Sequence, residues 1–148
     1  MAKTRTRSRP RGPSGKTLGL DEALIALFIG AMHANDHASR EELARAHHLI
    51  WSARRFRRKS GDTVGRIIEE MKQRLEEEDA AALMRASAKA VPARLRPSAF
   101  ALVADLLLAD GKIEATERRF LQRLAADLRI RPDEATRVMD VMRVKNRL

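Results

Sequence analysis

From Leu20 onward the apolar positions recur at helical spacing. Leu24, Leu27, Phe28, Ala31 and Met32 fall at i, i+3, i+4, i+7 and i+8. At 3.6 residues per turn these side chains share one face, so a first amphipathic helix is predicted over 20–34. Asn35-Asp36 interrupts it. Ser39-Arg40-Glu41-Glu42 reads as a capping box opening a second helix, whose stripe is Leu43, Ala46, Ile50 and Ala53 and which should fade near Ser60-Gly61. Asp62 or Thr63 can start a third helix, carried by Val64, Ile67, Ile68, Met71 and Leu75. An alanine-rich fourth follows over about 79–91, and Pro92 and Pro97 bracket a short connection. The fifth helix is expected from Ser98, with Phe100, Val103, Ala104 and Leu107 inward, closed by Asp110-Gly111. Phe120, Leu121, Leu124 and Leu128 define a sixth. Pro132-Asp133-Glu134 starts a seventh, with Ala135, Val138, Met139 and Met142 on its apolar face. No segment reads as a convincing strand, so the expectation is an all-α fold of about seven helices.

The pattern also echoes itself. At an offset of 75 residues, Ala26, Leu27, Ala34, Glu42 and Leu49 match Ala101, Leu102, Ala109, Glu117 and Leu124, and the break at Asn35-Asp36 falls on Asp110-Gly111. The first two helices and the fifth and sixth therefore read as related helical hairpins, an internal duplication packed as a pseudo-symmetric pair.

Charge adds a tail to this picture. Residues 1–19 carry Lys3, Arg5, Arg7, Arg9, Arg11 and Lys16 among Ser, Thr, Pro and Gly, with no apolar periodicity. Such a stretch cannot bury enough surface to order itself, so 1–19 is expected to be a disordered basic tail and 20–148 the helical domain. The net charge is +10. A second basic block, Arg54, Arg55, Arg57, Arg58 and Lys59, surrounds Phe56, whereas Glu69, Glu70, Glu76, Glu77 and Glu78 reverse the balance further on. With no cysteine, disulfides, thiolate metal sites and cysteine nucleophiles are excluded. The longest near-continuous apolar run, 23–32, is too short to span a bilayer, and the basic start lacks the apolar core of a signal peptide. A cytoplasmic location is the expectation.

The segment Ala109-Asp110-Gly111-Lys112-Ile113-Glu114-Ala115-Thr116-Glu117 carries the most specific signal. It looks like the second half of an EF-hand loop, with Asp110, Gly111, Ile113 and Glu117 at positions 5, 6, 8 and 12. A calcium loop, however, needs oxygen ligands at positions 1 and 3, and these are Leu106 and Leu108. A structural turn accounts for most of it: Gly111 permits a left-handed residue, Asp110 bonds nearby backbone, Ile113 plugs the turn, and Glu117 sits in the first turn of the next helix. Asp110, Glu114 and Glu117 remain candidate ligands for a weakly held divalent cation, the one cofactor the residues suggest.

Read with the preceding Leu106-Leu107-Leu108 and the later Leu128-Arg129-Ile130-Arg131-Pro132-Asp133-Glu134, this turn resembles that of the tellurite-resistance TerB family. The same fold precedes the J-domain of some membrane-bound DnaJ-like co-chaperones. The resemblance implies a seven-helix, internally duplicated all-α bundle. It further implies a non-enzymatic, stress-associated role as a scaffold or sensor with a protein partner, and metal binding by acids at the turns. In the first hairpin Asn35-Asp36 replaces Asp-Gly while Glu42 keeps the acid, so Asp36 and Glu42 are weaker candidate ligands. No His-Pro-Asp triplet marks a J-domain.

Other constellations are less pointed. His33 and His37 are four apart but flank the Asn35-Asp36 break, and the adjacent His47 and His48 face different ways. No phosphate loop, nucleophile motif or Ser/His/Asp set is present. The alternative reading is a polyanion-binding protein that contacts nucleic acid or an anionic membrane surface through the tail and Arg54, Arg55, Arg57, Arg58 and Lys59. Acidic residues elsewhere read as solvated helix faces.

Overall fold

A computed structural model describes residues 17–34 and 40–148. Seven α-helices occur among them: α1 (Leu20–His33), α2 (Arg40–Ser52), α3 (Gly61–Glu77), α4 (Ala80–Ala90), α5 (Arg96–Leu107), α6 (Ala115–Asp127) and α7 (Pro132–Lys145). A single 3₁₀ turn over Ala93–Leu95 precedes α5. The all-α bundle expected from the pattern is therefore the observed fold. The basic segment 1–16 and the break at residues 35–39 lie outside the described residues.

Local chemistry explains where the helices begin. The Ser60 Oγ accepts the Thr63 N–H at 3.2 Å, and the Asp79 carboxylate accepts that of Ala82 at 3.2 Å. Each satisfies a donor that the first helical turn leaves without a partner. Glu22 reaches back to the Gly19 N–H, and Glu117 does the same for Glu114 at 3.3 Å. Pro132 opens α7, with Asp133 and Glu134 at its positive dipole end.

The ends differ from the sequence expectation in three places. Ordered packing starts before residue 20, since Leu18 is buried. α2 stops at Ser52, well short of Ser60-Gly61. Beyond it the chain folds into turns closed by N–H donation from Phe56 to the Ala53 carbonyl and from Lys59 to that of Phe56. Phe56 is fully buried there, and turning the chain inward at that point is what ends the helix. α5 likewise stops at Leu107, and a tight turn in which Gly111 donates to the Leu108 carbonyl at 3.0 Å completes the connection. Gly111 has φ +72°, the left-handed conformation anticipated for it.

α1 is the central element. It packs against α2, α3, α4 and α5, and Ala23 and the run Ile25–Ala31 are buried on all sides, so a helix that read as amphipathic is enclosed for most of its length. α5 plays the equivalent part in the second half, against α6 and α7. Phe28, Phe56, Phe100, Met71, Leu83 and Leu121 fill the interior between them. The 75-residue offset is visible in the element bounds: shifted by that amount, α2 coincides end to end with α6 and α1 nearly with α5. α6 closes with a Schellman motif, Ile130 N–H to the Ala125 carbonyl (2.8 Å) and Arg129 N–H to that of Ala126 (3.0 Å). The left-handed position is Arg129, at φ 55°, where glycine is usual.

Candidate functional site

The Asp110 turn is built as a structural corner. Leu106 and Leu108 are buried, so the two positions that an EF-hand gives to ligands face the core. Ile113 packs against that core and holds the turn down. Asp110 and Glu114 are exposed, whereas Glu117 is buried, one of its oxygens accepting the Glu114 N–H. Among the described residues no three His, Asp or Glu side chains come together as a metal site. Asp36 and the side chain of Glu42 lie outside the described residues. His33 donates its Nδ1–H to the Ile29 carbonyl at 2.9 Å, and His47 Nε2 accepts the Trp51 indole N–H at 3.1 Å.

The basic block divides in two. Arg55 and Lys59 both reach Asp21 at the start of α1, Lys59 at 2.9 Å. Burial alone would raise the Asp21 pKa; the bonds from Lys59 and Arg55 outweigh it and hold the carboxyl below its usual 3.8. These two cations, with buried Phe56, tie the turn to α1. Arg54, Arg57 and Arg58 are exposed, and none makes an ion pair among the described residues. Three of the five predicted cations thus project to solvent from a rigid mount.

A polar centre that the pattern did not single out lies across α2, α5 and α7. Asp105, on the inward face of α5, is 6% exposed. Its carboxylate accepts from Arg45 at 2.7 Å, from Lys145 at 2.8 and 3.0 Å, and from the Asn146 amide at 2.9 Å. Asn146 also donates to the Leu108 carbonyl at 3.3 Å, linking the end of α7 to the turn that holds Asp110. Burial pushes the Asp105 pKa up, but the bonds from Lys145, Asn146 and Arg45 outweigh it and the net shift is downward. Arg74 and Glu78 form a second enclosed pair at 2.7 Å. The reading of the remaining acids as solvated helix faces is therefore corrected for Asp105 and Glu78, which are enclosed and ion-paired; Glu117, read as a first-turn acid, does cap the start of α6. The available signal was an aspartate at position 105 inside an otherwise apolar stretch, Phe100–Leu108.

These features define an all-α bundle of two hairpin-containing halves, with a tight Asp-Gly corner and a separate exposed arginine edge. The family model for tellurite resistance protein TerB matches residues 21–140, and the chain belongs to that family. Neither curated proteins nor solved structures give a significant match. No helix among the described residues is long and apolar enough to cross a membrane.

Proposed function

We propose that the chain is a non-enzymatic, stress-associated interaction module that docks a protein partner in the cytoplasm. The observation that carries this reading is TerB family membership over most of the chain. The bundle supports it: Asp79 and Glu117 serve as helix caps and Asp105 as a tie between helices, while the outer face of α7 leaves Val141 and Val144 in solvent. The test is genetic. Deleting the gene from its host is expected to lower tolerance to tellurite, and the wild-type gene to restore it. Unchanged tolerance in the deletion strain overturns the reading.

One observation favours a second role, binding of polyanions. Among the described residues Arg54, Arg57 and Arg58 stand clear of ion pairs, on a turn fixed by Phe56 and Asp21. Charges arranged so would neutralise phosphates with a steep salt dependence. Binding of duplex DNA or phosphatidylglycerol vesicles at low salt, lost in the triple Arg→Gln variant, is the expected result; absence of binding at low salt removes this role. The divalent-cation reading rests on Asp110, Glu114 and Glu117 and is checked by calorimetric titration with calcium, magnesium, manganese and zinc against Asp110→Ala. Heats that are absent, or identical in the variant, remove it.

A further inference from the structure

A cleft runs along α6 where the two halves of the bundle meet. Its inner part, about 340 Å³, is walled chiefly by apolar groups: Leu75 of α3, Met84 of α4, and Phe120 and Leu124 of α6. Its outer part, about 410 Å³, is formed by Thr116, Arg119 and Arg123. The two share Ala34, Phe120 and Arg123, so they are one continuous depression. Thr116, Arg119 and Arg123 lie at i, i+3 and i+7, on one face of α6. Leu124 and Asp127 continue that face inward. From Thr116 to Asp127 the rise along the helix is roughly 16 Å.

The floor depends on a glycine. Gly30 sits inside α1, where glycine is unfavourable, and a Cβ there would come within 2.4 Å of the Met84 sulfur. Methionine over glycine gives a soft, adaptable wall. At the mouth, Arg123 makes no hydrogen bond or ion pair among the described residues, and Arg119 makes only a long contact from its Nε to the Ala115 carbonyl. His33 and Asp127 also line the inner part. The cleft is thus polarised: two guanidinium groups and a hydroxyl outside, and mostly hydrocarbon behind them, with His33 and Asp127 the further polar groups of the inner part.

We infer that this cleft binds a single-chain amphiphile with an anionic head, the carboxylate or phosphate on Arg119 and Arg123 and the hydrocarbon chain against Leu75, Met84, Phe120 and Leu124. Arginine suits both heads because its planar fork offers paired donors. A mostly apolar pocket with a few polar groups at one end is the usual form of a small-ligand site. The site is distinct from the Arg54–Arg58 edge and from the Asp110 turn, and it does not depend on the partner proposed above.

The experiment uses the full chain with three probes below their aggregation limits: decanoate, decyl phosphate and decylamine. Calorimetry gives affinity, and amide chemical shifts locate the site. Either or both anionic probes are expected to bind, shifting Gly30, Phe120 and Arg123, and the preferred head identifies a fatty-acid or a phosphate-bearing source. The Arg119→Gln/Arg123→Gln variant removes two exposed cations, and it is expected to weaken binding about tenfold or more with unchanged melting. Ala81→Trp, which fills the inner cleft, should abolish binding. Decylamine binding as tightly as decanoate, shifts confined to another surface, no binding by either anion, or full affinity in the double arginine variant would each overturn the inference.

Discussion

Asp105→Ala is the most informative single change. Asp105 is enclosed and accepts four short bonds from Arg45, Lys145 and Asn146. Removing a buried partner of an ion pair costs about 3–5 kcal/mol when the remaining charge stays buried. Here it does not: the Lys145 side chain is 52% exposed and that of Arg45 is 29% exposed, so both can recover water. The loss is therefore discounted to about 2–3 kcal/mol. For a chain of this size that corresponds to roughly 4–12 °C in Tm. Urea unfolding should show a lower midpoint with an unchanged slope, because the surface exposed on unfolding is the same. The pH dependence supplies an independent check. The folded-state pKa of Asp105 lies below 3.8, so the unfolded chain binds the proton more readily. Its contribution is present in full above the ordinary carboxylate range and is lost as pH falls through the lower folded value. The gap between wild type and Asp105→Ala should hold steady near neutrality and close below about pH 4. A destabilisation under 0.5 kcal/mol, or a gap that does not vary with pH, would refute the account of Asp105 as the tie between α2, α5 and α7.

Further outcomes follow from other residues. Arg129→Gly should stabilise the chain by about 1 kcal/mol, read by thermal unfolding, since it relieves the left-handed strain at the end of α6. Phe56→Ala should cost about 3–5 kcal/mol in urea midpoint analysis, and hydrogen exchange should accelerate across residues 53–59 as the basic turn loses its anchor. Glu117→Ala should cost about 1 kcal/mol or more, because it opens the start of α6 and removes a buried group; unaltered stability would show that the Glu114 contact is incidental.

The seven helices were legible because each carries its own stripe and its own stop signal. Val64 and Met71 are buried where the α3 stripe placed them, and Pro132 starts α7 as its fixed φ requires. The corner at Gly111 was equally local, since a left-handed residue is a property of one position. The end of α2 was not: Arg54–Lys59 continue a plausible helix in sequence, and only the pull of the core on Phe56 and of Asp21 on Arg55 and Lys59 turns the chain away.

The same division separates the candidate sites. By itself the sequence determined the helical class, the number of helices, the Gly111 corner, the family resemblance and the presence of a basic block, all of which depend on neighbours within a few residues. Tertiary structure alone decided which charges remain available. Arg45, Asp105 and Lys145 are far apart in the chain yet meet at one point, and Arg119 and Arg123 gain an apolar cleft only because α1, α3 and α4 pack beside α6. An ion pair or a cleft is made by elements brought together through burial, and periodicity along one helix shows which face is buried, not which residue of another helix lies opposite it.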